Sequence, residues 1–160
     1  MTFENKQSHR LDKETFGQVV ASAPLVSIDL VVRNGQGQVL LGRRVNRPAQ
    51  GFWFVPGGRV RKDERLADAF WRLTDEELGH HVAMSSSRFL GPYEHFYDDN
   101  FSGEGFSTHY VVLGHEVQWQ ENLMALPLAQ HDLYRWFTVE ELLSASDVHQ
   151  HTKDYFVNRI

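Results

Sequence analysis

Residues 58–79 of the chain read GRVRKDERLADAFWRLTDEELG, and their spacing predicts one helix from residue 64 to residue 78. Apolar side chains recur at the i, i+3, i+4 and i+7 positions of one helical face, namely Leu66, Ala69, Phe70 and Leu73. Gly79 follows as a C-cap. Glu77 continues the same face, where a carboxylate needs a cation or hydrogen-bond donors. We therefore expect this helix to pack against a sheet.

Strands are predicted on both sides of the helix. Branched apolar residues, short aromatic runs and turn signals mark them at residues 25–32, 39–41, 52–55, 89–97, 108–117 and 134–137. Further helices are predicted at residues 11–22, 139–144 and 148–158. The second of these helices begins with a capping box formed by Thr138 and Glu141. The order predicts an α/β fold, an α/β/α sandwich with a mixed β-sheet.

The composition predicts a single domain over residues 1–160, with residues 1–10 as a flexible N-terminal tail. The chain has 160 residues, is 41% hydrophobic and contains no cysteine, which excludes disulfides, thiolate zinc sites and cysteine nucleophiles. It lacks a long apolar run and a signal-peptide core, so we expect a cytoplasmic protein with no membrane partner. The net charge of −5 disfavours broad binding to nucleic acid and leaves room for a local basic site for a phosphorylated small molecule.

Two features indicate chemistry on residue types alone. Asp29 places a carboxylate inside the apolar strand at residues 25–32, where it needs a partner. The sharp turn at Gly57 and Gly58 can offer a main-chain carbonyl to a hard cation such as Mg²⁺, which prefers oxygen ligands. These features raise the prospect of a functional site close to the predicted helix.

The segment at residues 58–79 resembles the Nudix box, the signature of the Nudix family. Six positions match its residue types and spacing: Gly58, Glu64, Arg72, Glu76, Glu77 and Gly79. Leu73 departs from the pattern because the family has a glutamate there, and Thr74 and His80 replace apolar residues. Ordinary Nudix hydrolases use the carboxylates at these helical positions to bind several divalent ions for attack at phosphorus. With Leu73 in place of one of these carboxylates, the resemblance implies a site with fewer metal ions and altered chemistry.

A Nudix subgroup, the GDP-mannose mannosyl hydrolases, also has the sequence Arg-Leu-Thr at the positions of residues 72–74. The chain resembles this subgroup over about residues 16–156. The similar segments are PLVS (24–27), NRPAQG (46–51), WFVPGGRV (53–60), HFYDDNFSG (95–103), THYVVLG (108–114) and QHD (130–132). The resemblance implies a Nudix fold and a homodimer. It also implies hydrolysis of GDP-mannose, or a related GDP-hexose such as GDP-glucose, to GDP and free sugar. Water would attack the anomeric carbon with inversion.

The same resemblance implies the metal ligands and the base. The Gly57 carbonyl, Glu77 and Gln130 would bind one Mg²⁺ per subunit, with Mn²⁺ as a substitute. His131 is implied as the general base, and a free imidazole with a pKa near 6.5 is largely neutral at pH 7. GDP is a good leaving group, so its departure needs positive charge more than a proton.

The remaining implied roles concern the substrate. Arg44, Arg59 and Tyr110 would hold or neutralise the leaving pyrophosphate, since the planar guanidinium suits phosphate. Arg72 would orient Glu77 or contact phosphate indirectly. Asp29 would contact the sugar or the positive charge that develops at its ring.

Two other functions remain open, an ordinary Nudix pyrophosphohydrolase that cleaves a nucleotide sugar at phosphorus and a non-catalytic nucleotide-sugar sensor. Leu73 and the pair Gln130-His131 favour hydrolysis at carbon, and retention of Glu77 argues against the sensor. Read alone, His131 also fits a solvated loop residue, and Tyr110 also fits a core position.

Overall fold

The computed structural model describes residues 10–120, 126 and 131–157. The elements in chain order are α1 (Lys13–Ser22), β1 (Leu25–Arg33), β2 (Val39–Arg44), β3 (Trp53–Phe54), β4 (Gly57–Arg59), α2 (Leu66–Leu78), a 3₁₀ turn (Met84–Ser86), β5 (Arg88–Tyr97), β6 (Thr108–Gln118), β7 (His131–Phe137), α3 (Val139–Ser144) and α4 (Gln150–Lys153). The predicted tail at residues 1–10 lies outside the described residues except for Arg10.

One mixed sheet of seven strands forms the centre of the described molecule. Its path is β3-β2-β1-β6-β5, while β4 pairs with β1 and β7 pairs with β2. β1 and β6 run parallel from Leu25 opposite Tyr110 to Arg33 opposite Gln118. The other pairs among these strands are antiparallel. The predicted mixed sheet is therefore confirmed.

Helix α2 packs on one face of the sheet through the stripe predicted from its spacing. Phe70, Leu73 and Leu78 are buried there with Ile28 and Leu30 of β1. Fully burying a large apolar side chain stabilises a fold by about 1.5–3 kcal/mol, so this stripe fixes the helix against the sheet. Leu66, at the start of the predicted stripe, remains 43% exposed.

The ends of α2 differ slightly from the prediction. The helix begins at Leu66 instead of residue 64, because Glu64 lies in a turn and its carboxylate accepts a hydrogen bond from the Arg61 N–H. Gly79 ends it as expected, with a φ of 74° and its N–H donated to the Asp75 carbonyl. That left-handed conformation favours glycine.

A second core covers the opposite face of the sheet. Val31, Leu41 and Trp53 from the sheet are buried there with Leu142 of α3 and Val148 of the segment before α4. With α2 on the first face, this arrangement confirms the predicted α/β/α sandwich.

The C-terminal helix is much shorter than the predicted 148–158. Val148 forms a parallel bridge with Trp53, and the His149 N–H donates to the Trp53 carbonyl, so this stretch stays extended before α4 begins at Gln150. Turns follow Lys153, and Tyr155 packs against the second core. Within the described residues, no helix is long and apolar enough to cross a membrane.

Candidate active site

A cleft of about 180 Å³ opens on the second face of the sheet. Six of the residues singled out from the sequence line it: Asp29, Arg44, Gly57, Gly58, Arg59 and Tyr110. Further lining residues are Ser27, Pro48, Phe54, Val55, His95 and Tyr97. The chain thus brings two guanidiniums and one carboxylate to the same small space.

Strand register explains this convergence. Asp29 lies opposite Gly57, and Ser27 lies opposite Arg59, across the antiparallel pair of β1 and β4. On the other side of β1, Leu25 lies opposite Tyr110 of β6. Gly57 has to lack a side chain, because an added Cβ would lie 2.5 Å from Oδ1 of Asp29 and from the Ile28 carbonyl oxygen.

Asp29 is a buried carboxyl group at the base of the cleft. It is only 6% exposed, and burial raises its pKa to about 7. The Tyr155 hydroxyl opposes that rise in pKa, because it donates a 2.6 Å hydrogen bond to Oδ2. The positive charge of Arg44 opposes it as well. The partner that a carboxylate in an apolar strand requires is thus supplied from the C-terminal segment.

The two cleft arginines are held by different contacts. Arg44 donates from Nε to the Pro48 carbonyl at 2.9 Å, and its guanidinium lies 5.8 Å from the centre of the Phe54 ring. The guanidinium of Arg59 lies 4.2 Å from the centre of the Phe16 ring. Burial lowers the pKa of Arg59, although an arginine remains charged at neutral pH. Both groups can therefore face an anion as cations.

Glu77 of α2 and His131 of β7 lie close together, and neither is among the residues that line the cleft. Nδ1 of His131 lies 3.9 Å from Oε2 of Glu77, and both side chains are almost fully buried. Burial, together with the charge of Glu76, raises the pKa of Glu77 to about 8. Burial also lowers the pKa of His131 to about 4, helped by the charge of Arg44. These shifts favour the neutral form of both side chains.

Gly42 makes room for the imidazole of His131. An added Cβ at Gly42 would lie 2.5 Å from Cγ of that ring. His131 also lies opposite Arg44 in the pairing of β2 and β7, next to an irregularity in the register. The Tyr134 hydroxyl lies 3.3 Å from its Nδ1, and Nε2 is buried with no hydrogen-bond partner among the described residues.

Carboxylate and imidazole side chains alone would not form a complete site for a hard cation. Main-chain or amide oxygens, water or substrate oxygens would also have to bind the ion. Among the described residues, no three His, Asp or Glu side chains are arranged to hold a metal ion. Glu77 supplies one buried carboxylate, and Gly57 is part of the cleft lining. Gln130 lies outside the described residues. An oxygen set of this kind suits Mg²⁺, which retains water and binds phosphate oxygens as well.

Arg72 takes part in a network inside the box and does not line the cleft. Its Nε and Nη2 donate to the Glu64 carboxylate at 2.7 and 2.8 Å, and Nη1 donates to Glu76 at 2.9 Å. Nη2 also donates to the Arg59 carbonyl at 2.9 Å. These contacts tie α2 to the strand that carries Arg59.

Several residues of the site went unnoticed in the sequence. Phe54 and Tyr97 line the cleft, and Tyr155 contacts Asp29 from below it. All three are ordinary aromatic residues that carry no local sequence signal for such a site. His95 also lines the cleft, stacked on His151 with 4.3 Å between the ring centres.

Comparison with known proteins supports the sequence resemblance. A family model described as "NUDIX domain" matches residues 23–159. Low-salt glycan biosynthesis protein Agl8 of Haloferax volcanii is 44% identical over 134 residues, which is 83% of each chain. The MutT protein of Methanosarcina mazei Go1 has a similar structure, with a TM-score of 0.65 at 23% identity, over 84% of this chain and 92% of that one. The NUDIX domain of Shewanella oneidensis NrtR, solved with ADP ribose, gives a TM-score of 0.61 at 19% identity, over 92% and 96%.

Proposed function

The chain belongs to the Nudix family of hydrolases, and on that premise we propose that it hydrolyses GDP-mannose, and also GDP-glucose, to GDP and free sugar. In this proposal water attacks the anomeric carbon with inversion, and the bond from that carbon to the pyrophosphate oxygen breaks. The bonding electrons leave with GDP. Nudix substrates are nucleotide-linked compounds, and the name of the Haloferax relative, glycan biosynthesis, accords with a sugar-bearing one.

The observation that carries the proposal is the cleft that joins Arg44 and Arg59 to a buried carboxyl group, Asp29. Guanidiniums stabilise the negative charge that develops on a departing pyrophosphate. A carboxylate in the same cleft suits the positive charge that develops on the sugar ring as the bond breaks. Tyr110, which also lines the cleft, would assist the arginines.

The side chain of Leu73, on the buried face of α2, supports attack at carbon. Leu73 stands where ordinary Nudix hydrolases have a carboxylate, and it is buried in the apolar core below Gly58. An added Cβ on Gly58 would collide with the Leu73 side chain, so the two positions are fitted to each other. An apolar side chain in this place removes one ligand for the metal cluster that attack at phosphorus uses.

The metal and base follow from the same proposal. Nudix hydrolases generally use divalent metal ions, and Gly57, Glu77 and Gln130 would hold one Mg²⁺, or Mn²⁺ in its place. When bound, the ion supplies positive charge next to the leaving pyrophosphate. His131 is the proposed general base that accepts the proton of the attacking water, and burial keeps it in the neutral form that can accept one.

The resemblance to the GDP-mannose mannosyl hydrolases leads us to propose a homodimer, with a GDP-hexose as the ligand of each subunit.

Arg72 is proposed to hold α2 and the Arg59 strand together, through its contacts to Glu64 and to the Arg59 carbonyl. Its influence on the pyrophosphate would be indirect.

Identification of the nucleotide product tests the proposed function. The protein is incubated with GDP-mannose and Mg²⁺, and the products are separated by anion-exchange chromatography. GDP with free mannose is the expected result. GMP with mannose 1-phosphate would show an ordinary pyrophosphohydrolase instead, and absence of turnover across several nucleotide sugars would favour a sensor.

A further inference from the structure

Tyr155 reaches the cleft from a part of the chain far from the Nudix box. Its hydroxyl donates a 2.6 Å hydrogen bond to Oδ2 of Asp29, across a separation of 126 residues. Bonds this short are typical of a hydroxyl paired with a charged carboxylate, and they are stronger than neutral ones. Asp29 and Tyr155 therefore form a specific pair that joins β1 to the segment after α4.

The two oxygens of Asp29 have different surroundings. Oδ2 accepts the bond from Tyr155, while Oδ1 lies on the side of Gly57, where an added Cβ would come within 2.5 Å of it. Gly57 is part of the cleft lining. The hydrogen bond at Oδ2 thus selects one orientation of the carboxyl group, with Oδ1 directed toward the glycine edge of the cleft.

Packing fixes the ring that carries this hydroxyl. An added Cβ at Gly114 would lie 3.0 Å from Cε1 of Tyr155, so the ring sits directly against the backbone of β6. The Tyr93 ring is centred 4.5 Å away and the His95 ring 6.1 Å away. A ring confined on several sides holds its hydroxyl in one place, which is what orienting a neighbour requires.

We propose that Tyr155 is a positioning residue of this active site, which acts by holding Asp29 in the orientation used in the reaction. The inference rests on the proposed function, since it assigns the held carboxylate to the sugar end of the substrate. Tyr155 itself does not line the cleft. It acts through Asp29, and loss of its hydroxyl should weaken stabilisation of the transition state more than binding of the substrate.

The test is a double-mutant cycle with Tyr155→Phe and Asp29→Asn. Phenylalanine keeps the packed ring and removes only the hydroxyl. With GDP-mannose and Mg²⁺, we expect Tyr155→Phe to lower kcat about tenfold and to change KM by less than about twofold. Because Tyr155 acts through Asp29, adding Tyr155→Phe to Asp29→Asn should cause little further loss.

Lys153→Met is the matched control from the same C-terminal segment. It removes the 2.7 Å hydrogen bond that Nζ of Lys153 donates to the Ala145 carbonyl, and it involves neither Asp29 nor a residue that lines the cleft. We expect this variant to lose stability while its kcat stays close to that of the wild type. A Tyr155→Phe kcat equal to the wild-type value, or independent losses that multiply in the double variant, would overturn the inference.

Unfolding in urea separates this inference from the proposed function. The same cycle measured without substrate should show non-additive losses of stability for Tyr155→Phe and Asp29→Asn. If the wild type fails to release GDP from GDP-mannose, the proposed function is contradicted and the unfolding cycle decides the inference. Non-additive losses would then support the coupling of the pair, and additive losses would overturn it.

Discussion

Glu77 and His131 form a buried pair of ionisable side chains. Neither side chain is exposed, and each is shifted toward its neutral form by burial. A carboxyl group kept neutral by burial becomes a good anionic ligand when a cation arrives, because the cation favours the charged form. A neutral imidazole beside it can accept a proton. The pair is thus suited to a site completed by a metal ion and water.

His131→Ala tests the proposed base. Loss of a general base typically lowers rates by about 10²–10⁴-fold, and we expect a fall of that size in kcat with GDP-mannose. His81→Ala serves as the control, because His81 is a half-exposed residue stacked on Trp71 and is not among the residues that line the cleft. A kcat for His131→Ala within about threefold of the control would remove His131 from this role.

Glu77→Gln tests the proposed metal ligand without reference to activity. A ligand that binds only the folded state raises its melting temperature, so Mg²⁺ should stabilise the wild type in a thermal melt. We expect the variant to lose most of that shift. Glu116→Gln is the control, since it changes a largely buried carboxylate that pairs with Arg33 and Arg88 instead. Equal Mg²⁺ shifts in the wild type and Glu77→Gln would contradict the assignment.

At the scale of elements, α2 gains its stability from one buried stripe, and Leu73 lies at its centre. We expect Leu73→Ala to lower the free energy of unfolding by about 2–5 kcal/mol, because it leaves a cavity in a packed core. Leu66→Ala in the same helix should cost less than about 1 kcal/mol, since Leu66 is largely exposed. Urea unfolding compares the two variants. Similar losses would show that Leu73 does not hold the helix on the sheet.

Elements whose signals are local could be predicted from the sequence. The stripe of α2, the capping box of α3 and the strand around Asp29 all follow from spacing and residue type. The C-terminal helix could not be placed, because Val148 pairs with Trp53, a residue distant in the chain. Tertiary pairing overrides helical spacing in that segment.

The same physical limit applies to the site. The position of Asp29 within an apolar strand predicts that its carboxylate needs a partner. No local sequence feature identifies Tyr155 as that partner. Arg59 and Asp29 line the same cleft because of the register of β1 and β4, which spacing alone does not determine. Residue type pointed to Asp29 and the family resemblance pointed to Arg59, and the sheet explains why they line one cleft.

For the molecule as a whole, acid should weaken the fold through a partly buried histidine. Burial, together with the charges of His151 and Arg44, lowers the pKa of His149 to about 4, against the opposing effect of Asp154. The Tyr97 ring contacts it from β5. An unfolded histidine has a pKa near 6.5, so the unfolded chain binds a proton that the folded chain excludes. The folded chain therefore has its full stability with respect to His149 above about pH 6.5, and the free energy of unfolding falls as the pH drops toward 4.

His149→Asn isolates this effect, because asparagine keeps a side-chain acceptor for the His151 N–H at the start of α4. Between pH 7 and pH 5, we expect the wild type to lose about 1 kcal/mol more unfolding free energy than the variant, after allowance for partial exposure of the ring. Buried Asp29 and Glu77 shift in the opposite direction, and they cancel in this difference. Equal losses in the two proteins would contradict the prediction.

The site of oxygen incorporation tests the whole account most directly. The protein is incubated with GDP-mannose and Mg²⁺ in ¹⁸O-labelled water, and the products are analysed by mass spectrometry. Attack at the anomeric carbon predicts label in the mannose and none in the nucleotide. Label in a phosphate group of either product would contradict the account and show attack at phosphorus.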